Sequence, residues 1–159
     1  MVCVRAAWLK LGSNTIQLDN PSGGWYCQSL DLGSPVTRGV LTNKPNATGA
    51  IDRTAFMGPR TVVAQVAALA PVARLDDVAD NFAPYMDPGA RPELHYVLDR
   101  GTNPERMLYV RGDSYDWPIV GANQRDIALQ FIAADPLSYD ATAKSVTVTG
   151  VTITGHSAR

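Results

Sequence analysis

Only one stretch of this sequence repeats its apolar residues at helical spacing, and it is short. Leu75, Val78, Ala79 and Phe82 fall at i, i+3, i+4 and i+7, the stripe of an amphipathic helix. Pro71 suits the first turn. Pro84 is expected to end the helix near Ala83, because proline lacks a backbone donor and disfavours helical backbone before it. A helix of about three turns cannot bury such a stripe alone, so a sheet must cover it.

The rest of the chain reads as strands. Val2 to Leu9 is β-prone and is expected to pair with Asn14 to Leu18 across Gly12-Ser13. Trp25 to Leu32 follows the turn cluster Asn20-Pro21-Ser22-Gly23-Gly24. Thr61 to Leu69, with Val62, Val63, Val66 and Leu69, is apolar on both faces, as a strand buried on both sides would be. Leu94 to Leu98 and Arg106 to Val110 flank a polar stretch and read as a hairpin. Asp126 to Ile132 places Ile127, Leu129 and Phe131 on one face with a period of two. Val146 and Val148, then Val151 and Ile153, alternate with threonine, but Gly150 shifts the phase. Two arms folding about Thr149-Gly150, or one bulged strand, would account for the shift. The fold class is mainly β with one α-helix.

The chain has 159 residues, enough for one domain with its own core. Charged residues make up 18%, against roughly 25% in an average soluble domain, so part of the surface is expected to be covered by partners. A net charge of −1 and scattered cations exclude an ordinary nucleic-acid binder. No apolar run is long enough to cross a membrane as a helix, so no membrane partner is expected. Met1 to Lys10 lacks the pattern of a secretory leader, which points to assembly in a cytoplasm. Cys3 and Cys27 could pair if adjacent strands bring them together; in a reducing compartment they are buried thiols. His95 and His156 lie far apart, no metal-ligand spacing exists, and no cofactor is expected.

The catalytic motifs are missing as well. There is no nucleophile elbow, phosphate loop or HExxH, so the chain does not read as an enzyme. Asp76, Asp77 and Asp80 lie opposite the helix's apolar stripe and form a solvated face. Arg111-Gly112-Asp113 is expected to be a turn after a strand, and Asn46-Ala47-Thr48 an incidental sequon. Trp25, Trp117 and Tyr115 could make a sugar platform, although packing is the ordinary use of such rings.

The segment Ser34 to Pro59 is different. It holds six Gly or Pro residues and little periodicity, yet Val36, Val40, Leu41, Ile51, Phe56 and Met57 punctuate it. An arm or long hairpin that packs on another molecule reconciles that length with those residues.

Taken in order, these segments resemble a known architecture. Leu30-Asp31-Leu32-Gly33-Ser34-Pro35 is followed by Arg38 and the loop to Gly49 and Asp52. Then come Gly58-Pro59-Arg60 before an apolar strand, the helix, and Met86-Asp87-Pro88-Gly89-Ala90-Arg91-Pro92-Glu93-Leu94. Phe131-Ile132-Ala133-Ala134-Asp135-Pro136-Leu137-Ser138-Tyr139 closes the series. The series is similar to the N-terminal ring domain of the distal tail proteins of siphovirus-type phages, called minor tail proteins in phages of actinobacteria.

The resemblance implies a split-barrel-like β domain over residues 1–155, an arm at about 34–59 and a short tail at 156–159. It implies a structural virion protein of the tail tip or baseplate. Such a protein forms a homohexameric ring between the tail-tube protein and the tail hub with its other minor tail proteins, and leaves a channel through which DNA passes. Val36, Arg38, Val40, Leu41, Ile51, Arg53, Phe56 and Met57 would then meet a neighbouring subunit. Asp135, Pro136 and Tyr139 would anchor the chain's exit, with the Tyr139 ring packed on the body. Many such proteins carry a galectin-like domain after this segment, whereas here about 20 residues follow Tyr139. The alternatives are a small β-sandwich module binding carbohydrate or peptide, and a tail-tube or tail-terminator subunit.

Overall fold

A computed structural model describes residues 4–39, 41–43, 48, 50–52, 56–69, 75–98, 104–121, 123–142, 144–148 and 151–155. The opening hairpin forms as its turn dictates. Strands β1 (Val4–Leu11) and β2 (Asn14–Gln17) pair antiparallel with Leu11 opposite Asn14, and Gly12 takes the left-handed conformation that the tight turn needs. Strand β3 (Trp25–Asp31) follows a short turn in which the Asn20 side chain accepts from the Gly23 N–H at 3.0 Å.

The arm region supplies four short strands: β4 (Thr37–Arg38), β5 (Leu41–Asn43), β6 (Ala50–Asp52) and β7 (Phe56–Met57). Strand β8 (Arg60–Leu69) then leads toward the helix α1 (Leu75–Met86). After it come β9 (Glu93–Leu98), β10 (Arg106–Tyr109), β11 (Arg111–Asp116), β12 (Ile119–Gly121) and β13 (Gln124–Ala133). The described chain ends with β14 (Tyr139–Asp140), β15 (Lys144–Val148) and β16 (Val151–Gly155). The last two form a hairpin of their own with Val148 opposite Val151, so two arms explain the phase shift at Gly150.

Two antiparallel sheets make the body. One runs β14-β10-β9-β1-β2; the other runs β11-β13-β8-β3, with β12 also on β13. No ladder among the described residues joins them, so the barrel stays open. Their inner faces share one core with the helix. Leu9, Leu94 and Leu108 come from the first sheet, Leu18 from the bend just after β2, Val62, Val66, Leu129 and Phe131 from the second, and all are fully buried. The helix lies on the second sheet, as its stripe demands: Leu75, Val78, Ala79 and Phe82 are buried, and Phe82 meets Trp25 edge-on at 5.8 Å.

Three sequence expectations need correction. The helix does not stop at Ala83 but runs on to Met86 with Pro84 inside it. Pro84 points to solvent, while Tyr85 and Met86 are both 5% exposed. Packing of those two side chains outweighs the one donor that a proline in a last turn removes. Pro71 lies outside the described residues. Arg111-Gly112-Asp113 is not a turn but the start of β11, and Gly112 is required there. A β-carbon on Gly112 would lie 2.6 Å from the Met86 carbonyl oxygen, so only glycine admits the helix end. Finally, β8 is not buried on both sides: Val62, Ala64, Val66 and Ala68 face the core, but Gln65 and Leu69 are exposed on the other face.

Candidate subunit interface

The arm grows out of the body's own hairpin. In the sheet, Asp31 lies opposite Val63; in the arm, Thr37 lies opposite Met57, and Arg38 opposite Phe56. These pairs share one register, so β4 and β7 continue β3 and β8. Between them the Val36 N–H donates to the Pro59 carbonyl at 3.4 Å and the Gly58 N–H to the Val36 carbonyl at 2.6 Å. Farther out the register slips by one residue, with Leu41 opposite Asp52 and Asn43 opposite Ala50. The hairpin leaves the sheet at Arg60 because β13, its neighbour, ends there with Ala133 opposite Arg60. Beyond that point the described part of the ribbon is two-stranded.

Its root is built from the two sequence motifs at Gly33 and at Asp135. Gly33 has a φ of +60°, and a β-carbon there would sit 2.0 Å from the Thr61 carbonyl oxygen. The Asp31 carboxylate accepts the Gly33 N–H at 2.9 Å and holds this turn. On the opposite strand, the Arg60 guanidinium donates to the Pro136 carbonyl and to Ser138 Oγ, the latter at 3.1 Å. Ser138 in turn meets the buried Tyr96 hydroxyl at 2.7 Å. Burial lowers the pKa of Arg60 from its ordinary value, and Tyr96 and Asp135 oppose that shift. Asp135 accepts the Leu137 N–H at 3.0 Å through one carboxylate oxygen and the Tyr139 hydroxyl through the other. The Tyr139 ring is half-buried and rests against Tyr109 at 6.1 Å, at the rim of the body and not in its core. Asp135, Pro136 and Tyr139 therefore surround the point where the arm departs.

The large described side chains of the arm face water. Phe56 is 68% exposed, Met57 59% and Val36 59%, and Arg38 is exposed beside them. Pairing puts Val36, Arg38 and Phe56 on one face of the ribbon and Met57 on the other. Leu41 and Ile51 sit in the outer strands by their backbone; their side chains, and Val40 and Arg53 entirely, lie outside the described residues.

Other candidate groups have structural partners. Trp25 is committed to the core, its indole N–H donating to the Gln17 carbonyl at 2.9 Å, so it does not join the Tyr115–Trp117 pair in a sugar platform. His95 is buried, stacked on Trp8 at 5.5 Å, with ring nitrogens 2.7 Å from Glu105 and 3.1 Å from Glu93. Cys27 is a free, half-buried thiol whose pKa burial raises; Cys3 and Asn46-Ala47 lie outside the described residues. Asp76, Asp77 and Asp80 are exposed, and Asp76 pairs with the buried Arg125 at 2.7 Å. That pair was legible: the alternation that turns Ile127, Leu129 and Phe131 inward also turns Arg125 inward, where a charge needs a partner. The role of Arg60 was hidden, because its partners lie more than seventy positions away. Among the described residues no group of three or more His, Cys, Asp or Glu is placed to hold a metal ion.

No protein-family profile matches this sequence, and no curated protein matches it. Among solved structures, the fold is similar to the SPP1 Dit (gp 19.1) protein, described as a paradigm of the hub adsorption apparatus in Gram-positive-infecting phages. The TM-score is 0.62 and the sequence identity 12%. The match covers 89% of this chain and 58% of that one, so the likeness is one of fold over part of the longer protein.

Proposed function

We propose that this chain is a structural protein of a phage tail tip, in which residues 1–155 form a ring domain and the arm at 34–59 joins neighbouring subunits. The carrying observation is the arm: an in-register extension of a buried hairpin that holds Phe56, Met57 and Val36 in water. A ribbon of this kind gains nothing for its own chain, since side chains stabilise a fold by leaving water. The fold shared with Dit supports the tail-tip setting.

In this reading the subunits close as a homohexamer of siphovirus type, in the virion, assembled in the host cytoplasm. The ring sits between the tail-tube protein and the hub with its minor tail proteins, and DNA passes through it. The role is architectural, with no reaction catalysed. The test is the mass of the purified chain in solution, alone and with tail-tube protein. A six-subunit ring is expected, and a chain that stays monomeric in both cases overturns the proposal.

A further inference from the structure

We propose that the arm of one copy docks on the outer face of the β11-β13-β8-β3 sheet of a second copy, with Arg38 entering a shallow acidic pocket there. This inference rests on the subunit-joining role of the arm proposed above. The pocket, about 160 Å³, is lined by Asp116 and Asp126 together with Gln28, Gln65 and Pro118. The Asp126 carboxylate accepts only from the Gln124 side chain, at 3.2 Å, and the Asp116 carboxylate has no hydrogen-bond or ion-pair partner among the described residues. Two carboxylates lining one pocket repel one another and attract a cation.

The charges match across the contact. The arm from Ser34 to Pro59 has three basic residues and one acidic residue, while the rest of the chain has eleven and fourteen. On the outer face the ladders line up Asp116 with Ala128, Gln65 and Ser29, and Asp126 with Ala67 and Tyr26. Asp31 lies one row farther, across from Val63 and Gln130. Arg111 is the basic residue of this face, in register with Ile132 at the end nearest the arm's root. The apolar parts match too: Tyr26 and Leu69 are exposed on the same outer face as the pocket, as Val36 and Phe56 are exposed on the face of the ribbon that carries Arg38.

The pocket cannot receive its own arm. It meets β8 at Gln65, several residues inside the sheet, and the ribbon leaves from Arg60 in the opposite direction. Donor and acceptor patches at different places on one surface make a head-to-tail contact, the kind that closes into rings.

Charge exchange tests the contact. Arg38→Glu, and separately Asp116→Lys with Asp126→Lys, are expected to raise the subunit concentration at half-assembly at least tenfold, with circular dichroism unchanged. The three changes together are expected to recover most of that loss. Rings that survive the Asp116→Lys/Asp126→Lys reversal overturn the docking while leaving the tail-tip reading intact. If that reversal instead slows DNA passage through intact particles, the face is a channel wall and the docking is likewise overturned. A wild-type chain that never assembles overturns both.

Discussion

The β3–β8 hairpin and the arm are one hairpin in two environments. Inside the body, β8 has β13 on one side, β3 on the other and the helix over its inner face, so Val62, Ala64 and Val66 are wholly removed from water. Past Arg60 the pairing continues in the same register through β4 and β7, but among the described residues with neither a third strand nor a helix beside it. Fully burying a large apolar side chain stabilises a fold by roughly 1.5–3 kcal/mol. Phe56 and Met57, mostly exposed, contribute little of that to their own chain. Register is thus set by the hairpin, whereas stability is set by what lies against it. An isolated two-stranded ribbon is marginal in water, so under the proposed function the arm would gain its support from a neighbouring subunit.

The largest test strikes the supported half. Phe131 on β13 is fully buried in the core that the sheets share with the helix. Phe131→Ala is expected to cost about 3–5 kcal/mol in denaturant unfolding, the usual range for a buried phenylalanine left as a cavity. A cost below about 1 kcal/mol, less than deleting two buried methylenes, would erase the contrast between the rigid half and the arm.

That half was also the legible one. Alternation at Ile127, Leu129 and Phe131 and the helical stripe at Leu75 to Phe82 are local signals, and packing obeyed both. The arm was legible only as an exception, a glycine- and proline-rich run with apolar residues and no period, and the pairing of Thr37 with Met57 depends on a register inherited from the sheet. The helix end was misjudged because Pro84 is a local signal, while the burial of Tyr85 and Met86 is decided by distant strands. The acidic pocket could not be read at all, since Asp116 and Asp126 become neighbours only through the pairing of Asp116 with Ala128.

A smaller effect is expected at the junction. Arg60→Ala removes the donors to the Pro136 carbonyl and Ser138, at a cost of about 2 kcal/mol, in the range for hydrogen bonds from a charged group. Limited proteolysis would localise the damage: cutting should increase at 134–138 and at the arm's root before the body unfolds. Equal acceleration across the body would mean that the root and the core are a single cooperative unit.

Tyr139 sharpens the comparison through pH. Its hydrogen bond to Asp135, with some burial and the Asp135 charge, raises the hydroxyl above its ordinary pKa of 10.0. The folded state therefore holds this proton more tightly than the unfolded chain. The stabilisation is complete below pH 10 and is lost as pH rises through the folded value. Tyr139→Phe lacks the bond at every pH, so its deficit against wild type should be constant near neutrality and shrink above pH 10. Tyr85, raised by burial alone, is present in both proteins and cancels from the difference. A deficit that stays flat to pH 12 would show that the hydroxyl does not hold the turn.

The smallest effect on folding is expected where the effect on assembly is greatest. Phe56→Ser combined with Met57→Ser alters two side chains that are 68% and 59% exposed in the isolated chain. Their replacement should leave the midpoint of monomer unfolding within about 0.5 kcal/mol of wild type, the range of ordinary surface changes. The same pair should abolish ring formation at concentrations where the wild-type chain is fully assembled, because truncating the apolar anchors of an interface costs most of its binding energy. The two measurements must be made on one preparation, since a destabilised monomer would also fail to assemble. If stability falls by more than about 1 kcal/mol, beyond that surface range, the side chains already pack on their own body and the arm is not free. If stability holds and rings still form, the subunit contact lies elsewhere on the molecule, and exposure of the ribbon has some other cause.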